Sequence, residues 1–247
     1  MEKLDRLGWA AGISFVAYGV RVGVRVSDPA VMDRVPGLLP PGWKPARSPS
    51  VKRLYSLRVG GAATRPGVRR FNMLYADSAR LSRTMELDDA LRVLESDLKL
   101  YVAEKARRRV FVHAGVVRWR GQAIVIPGRS RSGKSTLVRE LVRAGAIYYS
   151  DEYAVLDSRG RVHPYPRPLA LRKEGDMLSK PAPAEAMGGR PGVKPLTVGV
   201  VVLTSYREGA RWQPRRYWPH QPDRPLIPPY KIHRCHLHSL WYQRSDR

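Results

Sequence analysis

One stretch of the sequence combines residue types and spacing suited to binding a nucleoside triphosphate. Residues 128–135 fit the pattern G-x-x-x-x-G-K-[ST]: Gly128, Arg129, Ser130, Arg131, Ser132, Gly133, Lys134 and Ser135, with Thr136 next. The glycines allow backbone angles that a side chain would forbid, so the loop N–H groups can turn toward phosphate oxygens. We expect Lys134 to reach the β- and γ-phosphates and the Ser135 hydroxyl to bind Mg²⁺. Residues 128–136 are therefore the predicted nucleotide-binding segment.

Two adjacent carboxylates offer chemistry that a phosphate-binding loop alone lacks. Asp151 and Glu152 follow the short apolar run Ala146–Ser150, which predicts a strand. If that strand neighbours the loop strand in a parallel sheet, its carboxyl end faces the nucleotide. Asp151 would then hold Mg²⁺ directly or through water, and Glu152 would act as general base on an acceptor hydroxyl or on water. The alternative is a solvated Asp–Glu turn.

His113 lies in another predicted strand, Val110–Val117, ahead of the loop. As a general base it would need a pKa suited to neutral pH, whereas as an orienting residue it would need only a hydrogen bond. A histidine that simply occupies a place in the core is the alternative.

Predicted elements around the loop would position these side chains. The apolar run Ala123–Ile126 predicts a buried strand that leads into the loop, and residues 136–143 show helical spacing after it. A hairpin is expected within 153–163, and Leu196–Leu203 reads as a further core strand. The prediction for this part is an α/β fold: a P-loop core with a mixed β-sheet and flanking helices.

The N-terminal part predicts a β-rich region spanning residues 1–85. Its expected strands are Phe15–Val26, Lys52–Val59 and Arg70–Tyr75. The stretch Met85–Arg109 has apolar residues at intervals of three and four, which predicts a helix packed on a sheet. We therefore predict a core at residues 86–210 and an irregular Pro/Trp/His-rich tail at 211–247. The tail contains the metal-ligand types His233, Cys235, His236 and His238, without the second pair that a zinc finger needs.

Composition limits the class of protein. Lys and Arg outnumber Asp and Glu by 45 to 21, and the net charge of +24 favours polyanionic partners. We do not expect nucleic acid among them, because no helix-turn-helix, zinc-finger or aromatic RNA-binding signature is present. Cys235 is the single cysteine, which is typical of a reducing compartment. No apolar run approaches the ~20 residues of a membrane span, so we expect a cytoplasmic protein; the sequence leaves a homo-oligomer open.

Three of these features together resemble the C-terminal domain of the HPr kinase/phosphorylase family. They are the strand with His113-Ala-Gly, the loop 128–135, and Ser150-Asp-Glu152, and they follow one another at the family's intervals within residues 110–171. The resemblance implies ATP and Mg²⁺ as cofactors and transfer of phosphate to a serine hydroxyl of a protein or peptide. It implies catalytic roles for His113, Lys134 and Glu152, and a metal site at Ser135 and Asp151.

The sequence departs from the family at two site positions. Arg131 stands where the loop usually has glycine, and Glu152 stands where the family has its catalytic aspartate. The chain thus resembles the divergent HPr-kinase-like proteins, some of which phosphorylate serine in ribosomally made peptides such as lasso-peptide precursors. Tyr165, Arg167 and Arg172 are candidates to line an acceptor groove. The alternatives are a nucleotide-binding regulatory module without transferase activity and a small-molecule kinase of the same fold.

Overall fold

The structure is a computed structural model that describes residues 2–61, 69–129, 132–171, 180–205 and 209. It divides into two compact units, Met1–Arg108 and Arg109–Arg247. Ser130, Arg131, Arg172 and the predicted tail at 211–247, with His233, Cys235, His236 and His238, lie outside the described residues. None of the helices among the described residues is long and apolar enough to cross a membrane.

The first unit is built on a six-stranded sheet. Its elements are α1 (Glu2–Asp5), β1 (Ala11–Ala17), β2 (Val20–Val26), a 3₁₀ helix (Pro29–Arg34), α2 (Val35–Leu38), β3 (Lys44–Pro45), β4 (Arg53–Arg58), β5 (Asn72–Ala76), β6 (Ala79–Thr84) and α3 (Leu87–Lys105). The strand order is β3-β1-β2-β4-β5-β6, and the β2–β4 pair is parallel in an otherwise antiparallel sheet.

The single strand predicted over Phe15–Val26 is wrong. Tyr18 and Gly19 both have positive φ, at 50° and 81°, so the chain turns there and β1 pairs with β2 as a hairpin. Two consecutive residues with positive φ suit a tight turn whose twist matches that of the flanking strands. The alternating apolar pattern continues through the turn, which is why the pattern alone does not reveal it.

Helix α3 belongs to the first unit. Its buried residues Leu91, Leu94 and Leu98 form one core cluster with sheet residues such as Phe15 and Leu74. The helix predicted from the three- and four-residue spacing is confirmed, with its ends at Leu87 and Lys105. The predicted boundary between residues 85 and 86 falls before α3, whereas the observed division falls after it. Periodicity identifies the apolar face of a helix but not the sheet on which that face packs.

The second unit contains a closed ring of strands. Its elements are β7 (Arg109–Trp119), β8 (Gln122–Pro127), α4 (Lys134–Arg143), β9 (Ile147–Ser150), β10 (Tyr153–Asp157), β11 (Arg161–His163), β12 (Leu169–Leu171), β13 (Lys180–Ala182), a 3₁₀ helix (Ala184–Met187) and β14 (Leu196–Val201). The sheet order is β10-β11-β14-β8-β7-β9, and β10 also pairs with β7, which closes β7-β8-β14-β11-β10 into a five-stranded barrel.

The length of β7 makes this closure possible. Strand β7 has eleven residues, and along one of its edges residues 109–113 pair with β10 and residues 116–118 pair with β9. Along its other edge, residues 114–119 pair with β8. The β14–β8 pair is parallel and the other pairs are antiparallel. The coarse prediction of a mixed α/β fold is confirmed, with two mixed sheets and few helices; the barrel was not predicted.

Candidate phosphate-binding site

Two strands deliver the loop and the acidic pair to the same edge of the second sheet. Strands β8 and β9 are each antiparallel to β7, so they run parallel to one another. Ala114 of β7 lies opposite Pro127, just before the loop, and Val116 lies opposite Ser150, just before Asp151. The assumption that the two strands are direct neighbours is wrong, because β7 lies between them. The carboxyl ends of β8 and β9 nevertheless lie at the same edge of the sheet, because their partner residues on β7, Ala114 and Val116, are two positions apart.

A β-bulge in β9 orients the residues that follow it. Val117 pairs with Tyr148 and Val116 with Ser150, which leaves Tyr149 as the extra residue. Such bulges kink a strand and redirect its side chains, often beside functional sites. Beyond the bulge, the buried Ser150 Oγ accepts hydrogen bonds from the N–H groups of Glu152, at 3.1 Å, and Tyr153, at 3.0 Å. Ser150 thereby fixes the bend that presents the two carboxylates.

Close packing at Gly115 brings α4 onto β7. A Cβ atom at Gly115 would lie 2.5 Å from Val138 Cγ2, so only glycine permits this approach. Val138 is fully buried in a cluster with Ile126, Val142 and Tyr148. With α4 in this place, Ser135 Oγ donates a 2.9 Å hydrogen bond to Asp151 Oδ2. Two residues that are sixteen positions apart in the chain are thus in direct contact.

The described residues at the two ends of the loop between β8 and α4 are closely packed. Gly133 has φ of 89° at the start of α4, and a Cβ at Gly128 would lie 2.3 Å from Ser132 Oγ and 3.2 Å from Lys134 Cγ. The Ser132 N–H donates to Arg129 O at 3.2 Å. Glycine therefore suits both positions of the sequence pattern, the first because a Cβ would crowd Ser132 and Lys134, and the second because of its left-handed backbone angle.

Lys134 is the buried cation of the site. It is 6 % exposed, and its Nζ donates to Arg129 O at 3.4 Å. Burial lowers the pKa of Lys134 below its usual value, while the charge of Asp151 acts to raise it. A partly desolvated ammonium group whose contact with a carbonyl oxygen is long is favourably placed to bind an anion. Thr136, the last residue of the predicted nucleotide-binding segment, is exposed on α4.

Glu152 lies in the bend after β9, and His113 lies on the facing strand β7. The Glu152 carbonyl accepts a 3.3 Å hydrogen bond from the Ala114 N–H, which ties the bend to the residue after His113. Glu152 is half-buried. His113 is exposed, so the interpretation of it as a core histidine is wrong. It pairs across the strands with Tyr153, and their ring centroids lie 6.2 Å apart.

The three candidates for an acceptor groove have different outcomes. Tyr165 is buried and packs edge-on against Phe111 and Tyr153, so it does not line an open groove. Arg167 is half-buried, and burial lowers the pKa of its guanidinium. Its carbonyl accepts a 2.7 Å hydrogen bond from the Tyr148 hydroxyl. Arg172 lies outside the described residues.

Several site residues were not recognised from the sequence. Gly115 admits α4 and Ser150 holds the acidic bend. The Tyr148 hydroxyl bonds to the Arg167 carbonyl, and Thr204 contacts the loop, where its Oγ1 donates to Ser132 Oγ at 3.4 Å. Burial raises the pKa of Tyr148, as do the charges of Asp151 and Glu152, so this hydroxyl remains a proton donor at neutral pH. In the sequence, the one sign that α4 packs closely here was the pair of small residues at 114–115, next to His113.

The donor set formed by Ser135 and Asp151 suits Mg²⁺. Hydroxyl and carboxylate oxygens are the hard ligands that this ion prefers, and it usually keeps several waters and binds substrate phosphates besides one or two protein groups. Adjacent ligands of an octahedral Mg²⁺ lie about 2.9 Å apart, and the two oxygens are 2.9 Å apart here. The described residues contain no group of three or more His, Cys, Asp or Glu side chains that would form an all-protein metal site.

Comparisons with protein-family models, with curated proteins and with solved structures gave no match. The interpretation of this site therefore rests on its geometry and on the chemistry of its residues.

Proposed function

We propose that the chain is a Mg²⁺- and ATP-dependent kinase that transfers phosphate to a serine hydroxyl of a protein or peptide. The observation that carries the proposal is the contact of Ser135 with Asp151 beside the buried Lys134. A hydroxyl, a carboxylate and an ammonium group at one end of a glycine-bounded loop are the groups that phosphoryl transfer requires, since this reaction depends mainly on positioning and electrostatics.

The loop and Lys134 would bind the nucleotide. The N-terminal end of a helix such as α4 carries a partial positive charge and N–H groups without partners within the helix, which favour a phosphate at this place. The inward-facing Lys134 would exchange its 3.4 Å contact with Arg129 O for a charge-assisted hydrogen bond to phosphate. Because burial has already removed much of the hydration of Lys134, little further desolvation opposes this exchange.

Ser135 and Asp151 would hold Mg²⁺, which when bound neutralises charge on the phosphates. The hydrogen bond between them keeps both side chains in the required arrangement before the ion arrives. The bend at Ser150 and the close packing of Val138 on Gly115 restrict both partners. Such preorganisation lowers the entropic cost of assembling the site.

Glu152 would accept the proton of the acceptor hydroxyl. It follows Asp151 directly, so its backbone is fixed by the same bend, while its half-exposed side chain remains accessible to an acceptor. The exposed His113 would orient the acceptor by a hydrogen bond. A serine in an extended peptide has the reach to enter such an open site, and the resemblance to HPr-kinase-like proteins supports serine as the acceptor.

A transfer assay tests the proposal. The full chain is incubated with Mg²⁺ and ATP labelled in its γ-phosphate, together with peptides containing serine or alanine at the same position. Phosphoserine on the serine peptide alone supports the proposal, and a phosphorylated metabolite in place of it supports a small-molecule kinase of the same fold. Nucleotide binding without transfer to any acceptor supports a regulatory module. The proposal implies a compartment that supplies ATP, in keeping with the cytoplasmic location expected from the sequence.

A further inference from the structure

Strand β14 brings one more hydroxyl group to the loop. It runs parallel to β8, with Val201 opposite Val125, and the Val202 N–H donates to Val125 O at 2.8 Å. The carboxyl ends of both strands therefore emerge at the same edge of the barrel. Continuing this register by three residues puts Thr204 level with Gly128, the first glycine of the loop.

The side chain of Thr204 contacts the loop at Ser132. Thr204 Oγ1 donates to Ser132 Oγ at 3.4 Å, and Ser132 Oγ lies 2.3 Å from the position that a Cβ at Gly128 would occupy. Thr204 and Ser132 are both half-buried. The Thr204 hydroxyl thus contacts the side chain that packs most closely against Gly128, the first glycine of the loop.

The contact between the two hydroxyl groups is long and joins neutral partners, so it is weak. A hydrogen bond from a hydroxyl to an ionised oxygen is shorter and about twice as strong. A phosphate in the loop would therefore compete with Ser132 for the Thr204 proton and win. The cost is small, since the Ser132 hydroxyl can accept a hydrogen bond elsewhere or donate one itself.

We propose that Thr204 is a nucleotide-binding residue whose hydroxyl donates directly to a phosphate oxygen when the loop is filled. This inference rests on the proposed function in one respect only, namely that the loop binds nucleotide. Because Thr204 follows β14, the site would then contain polar groups from the carboxyl ends of three strands, β8, β9 and β14.

Binding of Mg²⁺-ATP by the full chain, measured by titration calorimetry, tests this assignment. Thr204→Val keeps the shape and removes the hydroxyl, and it should weaken ATP about tenfold. Thr204→Ser keeps the hydroxyl and should bind within about twofold of the unsubstituted chain. Thr197→Val is the matched control, because Thr197 is an exposed threonine near the start of the same strand; it should leave the affinity unchanged.

A Ser132→Ala background separates a direct contact from an effect transmitted through Ser132. If Thr204 contacts phosphate itself, Thr204→Val should weaken ATP by a similar factor in this background. No further loss in the Ser132→Ala chain would overturn the inference, as would equal affinities for Thr204→Val and the unsubstituted chain. If the unsubstituted chain binds no Mg²⁺-ATP, the proposed function itself fails; binding without transfer leaves the assignment of Thr204 intact.

Discussion

Ser135 Oγ and Asp151 Oδ2 lie 2.9 Å apart, joined by a hydrogen bond between the first turn of α4 and the bend after β9. Neither residue is positioned alone. Ser135 depends on the packing of α4 against Gly115, and Asp151 depends on a bulge at Tyr149 and a bend held by Ser150. The hydrogen bond therefore links the phosphate loop to the carboxylates.

Asp151→Asn should weaken the response to Mg²⁺ more than the binding of nucleotide itself. The amide keeps the shape but loses the charge that Mg²⁺ requires. We expect ATP affinity to fall about tenfold with Mg²⁺ present and to stay nearly unchanged, or to rise, in EDTA, because the substitution removes a negative charge near the phosphates. Calorimetric titrations in the two buffers measure this; an equal loss in both would mean that Asp151 acts on the fold and not on the metal.

Glu152→Gln should separate binding from transfer. The substitution removes the proposed proton acceptor but keeps the backbone hydrogen bonds of the bend. We expect ATP affinity to stay within about twofold, and phosphate transfer to the serine peptide to fall by at least about a hundredfold. The rate of phosphoserine formation under saturating ATP is the measurement, and an unchanged rate would remove Glu152 from its role.

Gly115→Ala should loosen the contact of α4 with β7. The new Cβ would lie 2.5 Å from Val138 Cγ2, so Val138 or the backbone of α4 must shift, and we expect this shift to disturb the contact of Ser135 with Asp151. We expect a loss of about 1–3 kcal/mol in the free energy of unfolding and weaker binding of Mg²⁺-ATP. Adding Val138→Ala removes the clashing methyl groups.

The control for this prediction is a double-mutant cycle measured by urea unfolding. The combined variant should be more stable than the sum of the two single losses implies, because the two changes affect the same space. Simple additivity would show that Gly115 does not limit the approach of α4.

Much of the local structure around the site could be predicted, but its connections could not. The strand and helix on either side of the loop were expected at 123–126 and 136–143 and are found at Gln122–Pro127 and Lys134–Arg143. Strands β7 and β8 form a hairpin, but the pairing of β7 with β9 joins segments separated by β8 and α4, which local periodicity does not encode. The same limit applies to Thr204, which lies 72 residues from Ser132 in the chain.

Asp157 provides a test of the barrel that is independent of nucleotide. Its side chain is 6 % exposed, and this burial acts to raise its pKa. Hydrogen bonds from His163 and from the backbone N–H groups of Arg159 and Arg161 outweigh this effect and hold the pKa well below its usual value. A carboxyl with a lowered folded-state pKa stabilises the fold fully above its unfolded pKa of about 3.9 and loses that contribution as the pH falls toward the folded value.

Asp157→Asn should therefore cost stability at neutral pH and less in acid. We expect a loss of about 2 kcal/mol in the free energy of unfolding at pH 7, and a difference between the two chains that shrinks as the pH is lowered below about 4. Urea titrations across this range measure it. A difference that stays constant down to the lowest pH would show that the ionised carboxylate is not the stabilising group.

The most direct test of the central claim is the binding of Mg²⁺-ATP to the unsubstituted chain and to Lys134→Met, measured by calorimetry. Methionine fills the space of the buried lysine without its charge, so the variant should fold with equal or greater stability. The account predicts saturable one-site binding by the unsubstituted chain and a loss of at least about a hundredfold in Lys134→Met. Equal affinities in the two chains, or no binding by the unsubstituted chain, would contradict it.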